Sequence, residues 1–159
     1  MNEAAKINYG LIPMEIWRTE KPLDVFQKMI AREFPAPPMG ESFDFLLTEI
    51  EPGRAVFEGK PHGKFYNPLG TIHGGFITTL LDSAMACAIH STLEAGKGST
   101  SVEIKVNFVR PIFEKTGSLR AVGETVNVGR QIASAEGKLI GADGKLYAHG
   151  TTTCFIFDL

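Results

Sequence analysis

Residues 74–95 read GGFITTLLDSAMACAIHSTLEA, and their apolar positions follow a helical spacing. The apolar side chains form two neighbouring columns at intervals of four: Phe76, Ile77, Leu80, Leu81, Ala84, Met85, Ala88 and Ile89. Two columns side by side indicate a helix that is buried over most of its surface. We therefore predict a helix from Gly74 to Ala95, stopped by Gly96 and about 30 Å long. A helix this apolar needs a large concave surface around it.

The sequence on either side of the helix supplies that surface. Residues 102–109 alternate apolar and polar side chains up to Pro111, as in a half-buried strand. Strand-like runs follow at 118–128, 131–140 and 146–157. Two more, at 43–48 and 54–58, predict a hairpin that precedes a loop at 59–72. Two strands, one helix and a meander of four strands predict an α+β fold. In it, one curved antiparallel sheet wraps one long buried helix.

Residues 1–41 have a different character. After Pro22 the apolar side chains again have helical spacing, and the proline-rich run at 35–38 ends the pattern. We interpret residues 1–41 as a helical extension that packs on a main domain at 42–159. The extension is too short to form a hydrophobic core of its own.

Composition excludes several classes of protein. The 159 residues are enough for one core, and 43% apolar with 21% charged residues is ordinary for a globular domain. A net charge of -2 gives no reason to expect nucleic acid or an anionic membrane as a partner. Residues 1–6 lack the basic start and apolar run of a signal peptide, and no apolar stretch approaches the ~20 residues of a membrane span. Cys87 and Cys154 lie outside any CxxC, so we expect no metal site, no disulfide and a cytoplasmic protein.

A glycine-rich segment, NPLGTIHGG at 67–75, leads into the helix. It is not a phosphate loop, because Phe76 stands where the lysine is required, and the sequence has neither GxSxG nor HExxH. The first N–H groups of a helix have no intrahelical partner and lie at the positive end of its dipole. Gly74 and Gly75 let a ligand approach that backbone closely. They form a candidate site for negative charge, although a glycine-rich turn without a ligand has the same pattern.

Asp82 lies at the edge of the apolar columns. Burying a carboxylate there costs free energy unless a polar partner stabilises it, and such a carboxylate often has a functional role. The alternative is an aspartate at the rim whose side chain is exposed to solvent. Gly74 and Asp82 are eight residues apart, or about 12 Å along one helix, so they cannot act on the same group within one chain. Two antiparallel helices across a two-fold axis would bring Gly74 of one chain near Asp82 of the other. If both residues are catalytic, the protein is at least a dimer.

These residues resemble the signature of hotdog-fold thioesterases, specifically the PaaI-type branch of phenylacetate degradation. The resemblance rests on Asn67, on His73-Gly74-Gly75 with Asp82, and on residues 102–112 and 144–151, and it covers roughly residues 42–157. It implies a hotdog fold, an acyl-CoA or acyl-carrier-protein substrate, and no metal or other cofactor beyond the coenzyme A of the substrate. It also implies a homodimer that joins its two sheets, with dimers often pairing into tetramers.

The resemblance further implies roles for individual residues. Gly74 would polarise the thioester carbonyl through its N–H, and Asp82 from the partner subunit would be the general base for water or the nucleophile. Asn67 would lie near the thioester or orient the water. Ser101, beside the partner subunit's Asp82, would hold that water. His73 would brace the loop rather than transfer protons.

A wider set of residues is expected to bind the substrate. His73, Gly75 and Phe76 flank the position of the thioester. Phe76 and Ile77 would also shape the acyl pocket, and the N-terminal extension would either contribute to it or simply pack on the domain. Arg110 and Arg130 are candidates for the phosphates of coenzyme A because they lie at strand ends or turns, although solvated surface arginines give the same pattern.

Two other functions fit the same fold. A hotdog dehydratase acting on hydroxyacyl thioesters needs a histidine paired with a carboxylate to remove an α-proton. A non-catalytic acyl-CoA sensor would keep the glycines and the pocket but would not need Asp82. The His-Gly-Gly…Asp arrangement favours the hydrolase. The sequence does not identify the acyl group.

Overall fold

The computed structural model describes residues 7–159. Residues 1–6, which we expect not to form a signal peptide, lie outside the described residues. Four α-helices and six strands follow in the order α1 (Met14–Thr19), α2 (Pro22–Ile30), α3 (Pro38–Phe43), β1 (Phe45–Glu51), β2 (Arg54–Gly59), α4 (Gly74–His90), β3 (Lys97–Phe108), β4 (Leu119–Val128), β5 (Ile132–Gly141) and β6 (Leu146–Asp158). Short 3₁₀ turns lie at Gly63–Phe65 and Glu114–Thr116.

The six strands form one antiparallel sheet in the order β1-β2-β4-β5-β6-β3, and α4 packs against it. The predicted α+β architecture is confirmed. The predicted four-strand meander is wrong, because β3 does not pair with β4 and lies at the far edge beside β6. The reason is the path of α4, which carries the chain across the sheet from β2 to the opposite edge. Residues 109–118 then return the chain to β4, which pairs with β2.

The core is built around α4, whose eight predicted apolar residues are all buried. Two glycines on neighbouring strands, Gly123 and Gly137, face each other in the sheet beneath the helix. A Cβ atom on Gly123 would lie 2.4 Å from the backbone of Ala84, and one on Gly137 would lie 2.9 Å from Cγ of Met85. The absence of side chains at these two positions lets the helix backbone lie close to the sheet.

Helix α4 ends at His90, five residues before the predicted end. Ser91 explains this difference, because its hydroxyl donates to the carbonyl of Ala88 at 2.8 Å and accepts from the Gly53 N–H at 3.0 Å. The hydroxyl thereby ties the end of the helix to the β1–β2 turn. The 17 residues of α4 correspond to about 26 Å of helix.

The N-terminal extension is more helical than the sequence predicted. Helix α2 ends at Ile30, and both α1 and α3 are additions. Phe43, predicted in a strand, is the last residue of α3, because Asp44 adopts a left-handed conformation that ends the helix. Trp17 and Phe26 pack against His90, with ring centroids 5.4 and 5.7 Å away, so α1 and α2 cover the C-terminal end of α4. None of the helices within residues 7–159 has the length and hydrophobicity to cross a membrane.

Candidate functional site

The loop that delivers the chain to α4 is organised by Asn67. Its side-chain oxygen accepts from the N–H groups of Leu69 (2.9 Å) and Thr71 (3.2 Å), and its amide nitrogen donates to the Thr71 hydroxyl (2.8 Å). The Asn67 N–H also donates to the Thr71 carbonyl at 2.8 Å. Asn67 therefore fixes the shape of the loop, and both of its side-chain polar atoms already have partners.

Gly74 is the first residue of α4 and lines a groove of about 350 Å³. Within residues 7–159 the structure pairs its N–H with no acceptor. Asn67, Ile77, Phe108 and Ile112 are among the other residues that line the groove. An unpaired N–H at a helix start is the arrangement that binds negative charge. This donor and mainly apolar side chains therefore line the same groove.

His73 caps the helix rather than facing the groove. Its Nδ1 accepts a hydrogen bond from the Gly75 N–H at 2.8 Å, and its own N–H donates to the Phe65 carbonyl at 2.8 Å. The cap uses the N–H of Gly75, which leaves the N–H of Gly74 as the donor open to the groove. In the structure, His73 and Gly75 hold the start of the helix in place.

Asp82 and Ser101 form a second cluster, two turns further along α4. The Ser101 hydroxyl donates to Oδ1 of Asp82 at 2.8 Å. Sequence reasoning placed Ser101 beside the partner subunit's Asp82, but in the structure it bonds to Asp82 of its own chain. The correction follows from the sheet order: β3 lies at the edge next to α4, so its inward-facing serine meets the helix of the same chain.

The two cysteines lie near this cluster without being nucleophiles. Burial, with a smaller contribution from the charge of Asp82, raises the pKa of Cys87 to about 12. Burial likewise raises the pKa of Cys154. Both thiols are therefore protonated near neutral pH and unreactive. In the part of the chain that the structure describes, no three His, Cys, Asp or Glu side chains are grouped to hold a metal ion.

The remaining predicted residues fall in three different places. Phe76 does not line the groove; it is buried and stacks on Phe65 with ring centroids 4.6 Å apart, because the inner side of the first turn of α4 faces the core. Arg110 lines the groove and donates to the Leu146 carbonyl at 2.5 Å. Arg130 lies in the exposed β4–β5 turn. That turn is at the Ser101 end of the sheet, whereas Arg110 is at the Phe108 end.

The candidate residues thus form two groups within one chain. Asn67, Gly74 and Arg110 share the groove, whereas Asp82 and Ser101 lie about 12 Å away along the axis of α4. One group can polarise a carbonyl and the other can hold and deprotonate water. A single chain does not bring the two groups together.

Sequence reasoning missed Phe108 as a site residue. Its signal was present, since the alternation along 102–108 places Phe108 on the inner face of β3. The sequence pattern could not predict the tertiary contact, because the alternation along one strand does not reveal that β3 ends beside the first turn of α4.

The chain is similar to known proteins of one family. The family model described as the thioesterase superfamily matches residues 69–148. Human acyl-coenzyme A thioesterase 13 is 30% identical over 109 residues, covering 67% of this chain and 76% of that protein. A phenylacetic acid degradation-related protein from Ralstonia eutropha has a TM-score of 0.74 and 28% identity, covering 82% of this chain and 98% of its own.

A more distant structure shows the same fold. The PaaI protein from the E. coli phenylacetic acid degradation operon has a TM-score of 0.73 at 18% identity, over 86% of this chain and 94% of that one. The family match covers half of the chain and includes Gly74, Asp82, Ser101 and every residue of the groove except Asn67. The chain therefore belongs to the thioesterase superfamily, has the hotdog fold, and is by class a thioester hydrolase.

Proposed function

We propose that this protein hydrolyses acyl-CoA thioesters to a free acid and coenzyme A, at sites shared by two chains of a homodimer. The observation that carries the proposal is the N–H of Gly74 at the start of α4, which has no acceptor within residues 7–159 and lies in a mainly apolar groove. The similarity to acyl-coenzyme A thioesterase 13 supports the substrate class. Residues 42–159 contain every group assigned a role, and residues 1–41 act as a packing extension.

Gly74 is the oxyanion donor of the proposed mechanism. When water attacks a thioester carbon, the carbonyl oxygen gains negative charge, and a donor about 3 Å away stabilises that charge. The Gly74 N–H has this role because the dipole of the 17-residue helix α4 adds positive potential at the same point. Asn67 keeps the loop before Gly74 in the required shape.

Asp82 is the general base. Ser101 donates to Oδ1 of Asp82, which leaves Oδ2 without a hydrogen bond from residues 7–159 and free to take a proton from water. The resulting hydroxide adds to the thioester carbon, and the carbon–sulfur bond then breaks. The sulfur leaves as the coenzyme A thiolate, which takes up the proton that Asp82 removed from water. Ser101 orients the carboxylate and helps to hold the water.

The homodimer follows from the separation of these groups. Gly74 and Asp82 lie on one helix about 12 Å apart, so a complete site needs Gly74 from one chain and Asp82 from another. Strand β3 supports this assembly, because its 12 residues pair only with β6 among the described strands and leave one edge unpaired. An unpaired edge of this length is a template for pairing with a second strand. Antiparallel pairing of two β3 strands places the Phe108 end of one beside the Ser101 end of the other.

The same dimer gives roles to both arginines. Arg110 at the Phe108 end of one chain and Arg130 of the other chain lie on the same side of the dimer, where they serve the phosphates of coenzyme A. Two free thiols and a coenzyme A substrate are consistent with a reducing compartment, and we place the enzyme in the cytoplasm.

The test is hydrolysis of a panel of aliphatic and aromatic acyl-CoAs, with release of free thiol as the signal. We expect turnover by the wild type and a loss of about 100-fold or more in kcat for Asp82→Asn, which keeps the size and removes the charge. Asp24→Asn, at an exposed position of α2, is the matched control and should keep wild-type activity. Binding of the panel without hydrolysis by the wild type would instead indicate an acyl-CoA sensor.

A further inference from the structure

The side chain of Phe108 lies against the proposed oxyanion donor. Phe108 is the last residue of β3 and pairs with the buried Ala148, so its side chain faces inward. A Cβ atom built on Gly74 would lie 2.9 Å from Cζ of Phe108 and 3.3 Å from Cε1. The ring therefore occupies the space that a side chain at Gly74 would fill.

The backbone around Phe108 is held in place. The register pairs Phe108 with Ala148, and the N–H of the next residue, Val109, donates to the Tyr147 carbonyl at 2.8 Å. Phe108 is 56% exposed in the single chain and lines the groove, so the part of the ring that does not contact Gly74 is open to a ligand there.

We propose that Phe108 is a specificity-determining residue that restricts the carbon next to the thioester carbonyl, and that the preferred substrates are acyl-CoAs unbranched at this carbon. The inference rests on the proposed function, in which the carbonyl oxygen lies about 3 Å from the Gly74 N–H. We take the first carbon of the acyl group, rather than the sulfur, to lie on the side of the ring, so that a methyl branch on this carbon meets the ring or must displace it. One methyl group in an apolar pocket changes kcat/KM by about 10- to 200-fold.

The experiment compares butanoyl-CoA with 2-methylpropanoyl-CoA, which have the same atoms and differ only in the branch. We expect the wild type to favour the straight chain by about tenfold or more in kcat/KM. Phe108→Ala should reduce this preference by about tenfold. Phe108→Leu keeps an apolar side chain and should reduce the preference less, and it replaces the alanine variant if that variant folds poorly. Phe155→Ala truncates an exposed phenylalanine of β6 and should leave the preference unchanged.

A binding measurement separates this inference from the proposed function. Calorimetry would use two ketone analogues, in which a methylene stands between the sulfur and the carbonyl, one straight and one branched. Loss of the preference for the straight analogue in Phe108→Ala supports the role of Phe108, even if neither thioester is turned over. An unchanged preference, or equal binding of the two by the wild type, overturns that role alone. Failure of the wild type to bind or hydrolyse any acyl-CoA overturns both proposals.

Discussion

The Ser101 hydroxyl donates to Oδ1 of Asp82 at 2.8 Å and so links strand β3 to helix α4. The pairing of β3 with β6 holds Ser101 in this position, since Ser101 lies opposite Cys154. Sulfur Sγ of Cys154 is 3.8 Å from the same hydroxyl. One oxygen of the carboxylate is thus fixed by a neighbouring strand, and the orientation of the other follows.

Replacing Ser101 by alanine should lower kcat while leaving the fold intact. A hydrogen bond to a charged group contributes about 1.5–3 kcal/mol, so we expect kcat to fall by about 10- to 100-fold with a smaller change in KM. Ser101→Thr keeps the hydroxyl and should restore most of the rate. Ser99→Ala, on the same strand two residues earlier, is the control. Wild-type kcat in Ser101→Ala would show that Ser101 does not position Asp82.

Mixing two inactive variants should restore activity if the sites are shared. Gly74→Val blocks the groove, because a branched side chain there meets the Phe108 ring, and Asp82→Asn removes the base. A mixed dimer contains one site with both groups intact. Unfolding and refolding an equal mixture should therefore recover about a quarter of the wild-type rate, because half of the dimers are mixed and each has one working site. No recovery, with mixed dimers demonstrated by mass spectrometry, would contradict the shared site.

Stability should fall with pH below neutrality because of His90. Burial lowers the pKa of His90 below its ordinary 6.5, with a backbone contact at Lys97 opposing the effect, and its Nε2 is buried without a partner among the described residues. The unfolded chain therefore binds the proton more readily than the folded one. The contribution of neutral His90 to stability is complete above about pH 6.5 and is lost as the pH falls toward the lower folded pKa.

Urea unfolding at pH 7.5 and pH 5 measures this contribution. His90→Leu should flatten the loss of unfolding free energy between these pH values, because it removes the titrating group from the contact with Trp17 and Phe26. His149→Gln changes an exposed histidine and should behave like the wild type. An equally steep loss in His90→Leu would assign the pH dependence to other groups.

The two glycines beneath α4 should differ in their tolerance of alanine. A methyl group on Gly123 meets the backbone of Ala84, which cannot move without displacing the helix, so we expect a loss of about 3 kcal/mol. On Gly137 the methyl group meets the flexible side chain of Met85, and the loss should be about 1 kcal/mol. Free energies of unfolding in urea give both values. Equal losses would mean that the helix is not held close to the sheet at Gly123.

Much of the fold could be predicted because α4 and most strands have strong patterns. The apolar columns identified all eight buried residues of α4, and alternation located β4 to β6 to within one residue at each end. The predicted start of β3 was five residues too late, because the strand begins at Lys97. The predicted end of α4 was wrong because a tertiary hydrogen bond of Ser91 determines where the helix ends. The position of β3 at the edge was missed because strand order depends on the path of the chain between strands, which periodicity does not encode.

The candidate site was predicted in part. The glycine-rich entry to a helix indicated Gly74, and a carboxylate beside apolar columns indicated Asp82. Ser101 was assigned to the wrong chain, and Phe76 was expected at the groove although it stacks on Phe65 in the core. Both errors concern which side of an element faces which neighbour, and that is decided by packing between elements distant in sequence.

The pairing of β3 with β6 has a consequence for biosynthesis. During translation, β3 is made before residues 109–145, and β6 follows them. Until β6 is available, β3 lacks its only strand partner among the described strands, and the pairing that holds Ser101 beside Asp82 is absent. The nascent chain therefore exposes a long, partly apolar strand for the time needed to make those residues. Factors that slow translation through this interval should increase aggregation of newly made protein more than they affect the folded enzyme.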